Sequence, residues 1–322
     1  MILRRGLGLH LVILCLVWAL WLLSGGDRAL AALTDHWSVS LTMVFGSLIA
    51  GATSEGGGAV AFPVFTKLLG IDPADARVFS LAIQSVGMSC ASLVILAMRV
   101  PLAWRAIGLA SLAGIPGILV GSLLIAPNAA APLVRMSFTL LLVSVAITLF
   151  LLNRNARVVR SDLPAGRGVD LALLAAGFAG GIFSGLVGNG IDIITFSVLV
   201  LWLRLDEKIA TPTSVVLMAI NSLVGLLIHS QLTGDFSGMV VDWWLAAVPV
   251  VVVGAPLGAL ACCYMNRHTV ANVLIGLVAL EFITSLWLIP MTTSLWLFSG
   301  LVLVLLAGVN NWMYRSRAFE AA

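Results

Sequence analysis

The chain has 322 residues, of which 61% are hydrophobic and only 10% are charged, and its mean hydropathy is +1.13. Because soluble domains typically contain about 25% charged residues, this composition excludes a soluble protein and indicates a polytopic α-helical membrane protein. The net charge of +3 comes mostly from loop arginines and indicates no nucleic-acid partner. The four cysteines and four histidines show no disulfide or metal-site spacing, so we predict no metal and no cofactor.

The first apolar run extends from about Leu7 to Leu23 behind Arg4 and Arg5. It is longer than the hydrophobic region of a signal peptide, which has roughly 7–15 residues. We therefore favour a retained transmembrane helix with an external linker over residues 1–37. The alternative is that residues 1–31 are a cleaved signal peptide, because Ala29-Leu30-Ala31 is similar to a cleavage site.

The rest of the chain divides into two halves, 38–153 and 168–313, joined by an arginine-rich linker at 154–167 and followed by a tail at 314–322. The apolar spans fall near 38–53, 58–70, 76–98, 104–125, 133–152, 168–187, 190–203, 209–230, 241–264, 269–289 and 294–312. Two of these spans, 58–70 and 190–203, are shorter than the roughly 20 residues that a helical crossing needs.

Loop arginines predict the orientation by the positive-inside rule. The linker and both termini are then cytoplasmic, and the 126–132 and 231–240 loops, which contain no Lys or Arg, are outside. All loops except the one with Arg28 obey the positive-inside rule if each short span forms a re-entrant hairpin with the span before it. The hairpin at 38–70 would then enter from outside, and the hairpin at 168–203 from the cytoplasm.

The two halves are similar to each other at a constant offset. Three glycines of the first half have counterparts 134 residues later, namely Gly46, Gly51 and Gly56 with Gly180, Gly185 and Gly190. The predicted fold is therefore an all-α polytopic membrane protein with two inverted-topology repeats, each with a Gly-rich re-entrant helical hairpin, plus an extra N-terminal helix. Inverted repeats with Gly-interrupted short helices are typical of secondary transporters. Close helix packing at the glycines is the structural alternative.

Each hairpin turn is a candidate substrate site. The start of a broken helix presents free N–H groups that bind an anion without a basic side chain, and glycine lets the ligand approach the backbone. The candidate substrate-binding residues of the two turns are Ser54, Gly56, Gly57, Gly58, Gly188, Asn189 and Gly190.

Polar residues on the helix after each hairpin are further candidates. Ser80 and Gln84 follow the first hairpin, and Thr213, Ser214 and Asn221 follow the second. They can complete the hydrogen bonds of an anion, or they can simply bond neighbouring helices together. The charged residues that precede these stripes are predicted to be solvated turns at the two mouths of the protein: Asp72, Asp75, Arg77, Asp206, Glu207 and Lys208.

The layout resembles the sulfite exporter TauE/SafE family over about residues 40–310. The resemblance depends on the Gly-rich first hairpin with Pro63, the passage from Gly70-Ile71 to Ser80, the Gly114-x-Pro116 helix, and Lys208-x-Ala210-Thr211-x-Thr213-Ser214. It implies transport of a small sulfur-containing or organic anion, such as sulfite or a sulfonate, across a bacterial inner membrane.

The sequence departs from the family pattern by adding acids to both turns. Glu55 stands in the first turn, and Asp192 stands where the family usually has glycine. Intramembrane acids are functional by default, and burial favours their neutral form. We therefore interpret Glu55 and Asp192 as residues of proton coupling, against the alternative of a protonated acid bonded to a carbonyl group. Glu281 is a third intramembrane acid, outside both hairpins.

The sequence thus predicts a non-enzymatic secondary transporter for a small anion, with the lipid bilayer as its surroundings and a homo-oligomer left open. A non-transporting membrane scaffold is one alternative. An intramembrane hydrolase is the other, although Gly190-Ile191-Asp192 differs from the Gly-x-Gly-Asp sequence of intramembrane aspartyl proteases.

Overall fold

The computed structural model describes residues 2–53, 57–154, 160–262 and 267–316. These residues are almost entirely helical, and eight helical segments are long and apolar enough to cross a membrane. The prediction of an all-α polytopic fold is therefore confirmed. The division of the chain into repeats, linker and tail stays a prediction.

Twelve helices follow one another along the described ranges. Several helices continue directly into π-helical turns, and each helix with its π-helical turn is called an arm. The bounds are α1 (Ile2–Asp35), α2 (Trp37–Ala52), α3 (Gly58–Pro63, then π-helical Val64–Leu68), α4 (Pro73–Ala97), α5 (Trp104–Leu119, then π-helical Val120–Ile125), α6 (Ala131–Arg154), α7 (Arg167–Val187), α8 (Ile191–Ser197, then π-helical Val198–Trp202), α9 (Glu207–Leu227, then π-helical Ile228–Leu232), α10 (Met239–Cys262), α11 (Arg267–Leu288) and α12 (Thr293–Arg315).

The second Gly-rich segment forms a helical hairpin. The α8 helix folds back on α7, and a Cβ on Gly180 of α7 would lie only 2.5 Å from the Cα atom of Ile191. The turn uses Gly188 at φ 82° and Gly190 at φ 151°, a backbone region that glycine adopts readily. That this hairpin and the α2–α3 hairpin each enter and leave the membrane on one side stays a prediction.

The hairpins pack across the two halves. The α7 helix packs on α5 of the first half, and α2 packs on α10 of the second half. A Cβ on Gly181 would lie 3.0 Å from the Cα atom of Gly114, and a Cβ on Gly254 would lie 3.0 Å from the Cβ atom of Ser47. The two contacts correspond between the halves, because Gly181 follows Ser47 by 134 residues and Gly254 follows Gly114 by 140 residues. This reciprocity supports the inverted-repeat prediction.

The N-terminal helix α1 is part of the helix bundle. Pro249 in α10 has no N–H, so the carbonyl of Leu245, four residues earlier, loses its helical hydrogen bond. The buried indole of Trp21 donates Nε1–H to that carbonyl oxygen at 2.8 Å. The α1 helix therefore satisfies a backbone group that α10 cannot satisfy alone, and retention of the first helix stays a prediction.

Substitution of Trp21 by Phe tests this role of α1. The Leu245 carbonyl would be buried without a donor, which costs about 1–3 kcal/mol. We expect a lower melting temperature in detergent. Trp18→Phe is the matched control, because Trp18 is partly exposed and donates to the Pro249 carbonyl at 3.0 Å. Equal stability of the two variants and wild type, with a mass showing loss of the first helix, would mean that α1 is a cleaved signal peptide.

Candidate functional site

The turn of the α7–α8 hairpin is held by α4 of the other half. The carbonyl oxygen of Gly188 accepts hydrogen bonds from Ser80 Oγ at 3.2 Å and from Gln84 Nε2 at 2.9 Å. The Gln84 amide also donates to Ser80 Oγ at 2.8 Å. All three residues are buried. The structure therefore brings together Ser80, Gln84 and the second Gly-rich turn, which the sequence analysis singled out separately.

Several backbone N–H groups at the start of α8 already have partners. Asp192 Oδ1 accepts from the N–H of Gly190 at 3.3 Å and from the N–H of Ile193 at 3.0 Å. Ser184 Oγ accepts from the N–H of Ile191 at 3.1 Å. In this conformation the carboxylate of Asp192 thus occupies the place that the sequence analysis gave to a bound anion.

Three residues around the turn each have one buried oxygen without a hydrogen-bond partner among the described residues. These oxygens are Asp192 Oδ2, Gln84 Oε1 and Asn221 Oδ1. Asn221 uses its amide nitrogen to bond the Leu217 carbonyl at 2.9 Å, and its Oδ1 lies against Gly114 of α5. Unpartnered buried acceptors are unusual, because a buried polar group without a partner is destabilising. The turn is therefore suited to a proton or another hydrogen-bond donor.

Two predicted residues of α9 have bonds elsewhere. Thr213 Oγ1 accepts from the N–H of Ala103 at 3.0 Å and so holds the start of α5. Ser214 Oγ donates to the carbonyl of Thr211 at 2.7 Å, within its own helix. Neither side chain contacts the second hairpin turn through these bonds. Their assignment to the substrate site stays a prediction.

The first hairpin turn is only partly described. Ser54, Glu55 and Gly56, which carry the predicted anion and proton roles, lie outside the described residues. Gly57 is buried against α2, where a Cβ would lie 3.5 Å from the Gly46 carbonyl oxygen, and Gly58 begins α3. The roles of these five residues stay predictions.

A buried ion pair between Lys67 and Glu281 was missed by the sequence analysis. Lys67 Nζ contacts the Glu281 carboxylate and also donates to Ser285 Oγ at 2.6 Å. Thr139 Oγ1 donates to Glu281 Oε1 at 3.0 Å. The pair borders a largely apolar cavity of about 160 Å³ between the α3 arm and α11. A search for opposite charges within apolar spans could have paired Lys67 with Glu281.

One prediction about the outer mouth is wrong. Arg77 is not in a solvated turn but is buried, with 6% of its surface exposed. It is the fifth residue of α4, and the helix packs against its neighbours from the first turn onward.

Among the residues that the structure describes, no group of three or more His, Cys, Asp or Glu side chains could hold a metal ion.

Substitution of Glu281 by Gln tests the buried ion pair. Lys67 would keep its charge but lose its carboxylate, and breaking a buried pair in this way costs about 3–5 kcal/mol. We expect a markedly lower melting temperature in detergent, and recovery of much of the loss in a Lys67→Met, Glu281→Leu double variant. The control is Asp242→Asn, which breaks the exposed Arg28 pair and should cost under about 1 kcal/mol. Equal melting temperatures for Glu281→Gln and the control would contradict the pairing.

Comparison with known proteins gives one match. The family model described as "Sulfite exporter TauE/SafE" matches residues 39–288. No curated protein and no solved structure matches the chain. The match covers both hairpins and most of the helices around them. The chain is therefore a multi-pass membrane protein that belongs to the sulfite exporter TauE/SafE family.

Proposed function

We propose that this protein is a proton-coupled secondary transporter for a small anion, either sulfite, a sulfonate or a related organosulfur acid, in the bacterial inner membrane. The observation that carries the proposal is the buried, non-helical turn between α7 and α8. Non-helical backbone at membrane depth is tolerated only where protein buries it or where it lines a wet cavity. In secondary transporters such breaks form the substrate and ion sites.

The contact between the two halves supports a transporter over a non-transporting scaffold. The carbonyl of Gly188 in one half is held by Ser80 and Gln84 of the other half. A substrate that interacts with this turn would act on both halves at once. Alternating access requires such a shared site, because one half must move against the other while the substrate stays bound.

Asp192 is the described candidate for the coupled proton. It is fully buried, and its Oδ2 has no hydrogen-bond partner among the described residues. A buried carboxyl group without a cation beside it is more stable in its neutral form. A proton on Oδ2 would therefore be retained in this conformation and released when the site opens to water. Glu55 has the corresponding role in the first turn.

Electrostatics explains why coupling matters. A membrane potential contributes about 2.3 kcal/mol per charge per 100 mV. Export of a dianion from an inside-negative cell gains roughly 4.6 kcal/mol at 100 mV, whereas uptake must overcome the same amount. An unaided exporter needs no acid in its path. The acid at Asp192 therefore favours a transporter that moves a proton together with its anion.

The test uses purified protein in liposomes with an internal pH dye. We expect wild type to accumulate radiolabelled sulfite when the external pH is lowered, with acidification of the lumen. Asp192→Asn should still exchange labelled for unlabelled sulfite but should lose accumulation and acidification, because its side chain cannot release a proton. Asp35→Asn, at the exposed end of α1, is the control and should behave like wild type.

The outcomes separate the parts of the proposal. Absence of flux for sulfite, sulfonates and carboxylates in wild type would favour a membrane scaffold. Consumption of an ester or peptide substrate by the purified protein would favour a hydrolase. Flux with unchanged proton movement in Asp192→Asn would leave the protein a transporter but would remove Asp192 from the coupling.

A further inference from the structure

Arg77 lies on the face of α4 that contacts the second hairpin. It precedes Ser80 by three residues and Gln84 by seven, a spacing that places the three side chains on one side of a helix. Its Nη1 donates to the carbonyl oxygen of Gly185 in α7 at 3.4 Å, a long hydrogen bond. The same oxygen accepts from Ser122 Oγ at 3.3 Å. The guanidinium group therefore lies next to the hairpin turn.

The charge of Arg77 has no direct partner. No described carboxylate oxygen lies within 4.0 Å of its guanidinium nitrogens, and its Nε is buried without a hydrogen-bond partner in the described part of the chain. Asp72, Asp75 and Asp235 act on it only through space. Arginine is almost never buried unless it is paired. A buried guanidinium group without a carboxylate partner among the described residues is therefore an argument for a ligand that is an anion.

His229 is a second buried polar group near Arg77. It lies in the π-helical end of α9, is fully buried, and interacts electrostatically with Arg77. Its Nδ1 lies 3.3 Å from Asp235 Oδ2 and 3.3 Å from Thr233 Oγ1, while its Nε2 has no partner in the described residues. In the neutral ring, a proton on Nδ1 that is shared with Asp235 leaves Nε2 an acceptor, so His229 offers an anion no free donor.

We propose that Arg77 binds the oxyanion group of the transported anion. The guanidinium group presents N–H donors in a planar fork that matches a sulfite or sulfonate group with two oxygens. This inference rests on the proposed function and assigns its substrate site to a residue other than the turn glycines. Three backbone donors around the turn, on Gly190, Ile191 and Ile193, are already bonded to Asp192 and Ser184, whereas the Nε–H of Arg77 is free in the described part of the chain.

The arrangement separates the two ligands of a proton-coupled transporter. An unpartnered donor, Nε–H, lies on Arg77, and unpartnered acceptors lie on Asp192, Gln84 and Asn221 among the described residues. An anion needs the donor and a proton needs the acceptors. The donor and the acceptors meet at the same α7–α8 hairpin, so binding of either ligand changes the electrostatic field at the other.

A structural role for Arg77 is the competing explanation. Gly185 is in the last turn of α7, where a cation interacts favourably with the helix dipole and with the last carbonyl groups. A cap of this kind would stabilise the protein without affecting ligand affinity. Binding per folded molecule must therefore be measured separately from stability.

The experiment measures equilibrium binding of radiolabelled sulfite to the full-length protein in detergent, after size-exclusion selection of the monodisperse fraction. Arg77→Gln should weaken binding at least about tenfold, because a charge-assisted, bidentate contact is lost. Arg77→Lys should weaken it at least about fivefold, since lysine keeps the charge but not the fork. Arg105→Gln is the control, because Arg105 is partly exposed and pairs with Asp170; its affinity should stay within about twofold of wild type.

The results distinguish the inference from the proposed function. If wild type binds neither sulfite nor any sulfonate, the proposed function fails. If wild type binds sulfite and Arg77→Gln binds it equally well, Arg77 is a structural cap and the inference is overturned. If Arg77→Gln does not fold, Arg77→Lys decides: weaker binding supports the site, and unchanged affinity overturns it.

Discussion

The whole arrangement depends on how one interrupted helix keeps its backbone satisfied inside a membrane. Between α7 and α8 the chain leaves the helical path at Gly188 and Gly190, so backbone groups lose their local partners. Side chains from α4 replace them, with Ser80 and Gln84 both bonding the Gly188 carbonyl. Asp192 and Ser184 of the same half satisfy N–H groups at the break as well, so side chains of both halves stabilise it.

Small residues make this mutual support geometrically feasible. Lipid provides no hydrophobic force between helices, so packing depends on close van der Waals contact between surfaces with small side chains. At the α5–α7 contact, Gly114 faces Gly181, and at the α2–α10 contact, Gly254 faces Ser47. Each contact joins a hairpin of one half to a helix of the other. The two halves therefore contact each other through both hairpins.

The apolar spans and the two interrupted segments could be predicted from the sequence, because bilayer thickness and glycine chemistry act locally along the chain. The partnership of Ser80 and Gln84 with Gly188 could not, since it joins residues more than a hundred positions apart. Arg77 was misplaced for a related reason. A charge near the start of a span is normally solvated, whereas in the fold this one is buried and its Nη1 donates to the Gly185 carbonyl of α7.

Lys67 is a second charge whose burial the sequence analysis did not reveal. Lysine near the end of a span usually extends its charged group to the interface, so its presence in 58–70 does not by itself indicate a buried charge. In the fold, Glu281 and Thr139 come from helices far away in sequence and make burial of that charge tolerable. Lys67 and Arg77 thus differ in their charge partners. Lys67 is neutralised by a carboxylate and stabilises the hairpin arm, whereas Arg77 keeps an Nε–H donor without a described partner beside the turn. That difference in pairing, which the spacing of residues does not reveal, separates a structural charge from one suited to a ligand.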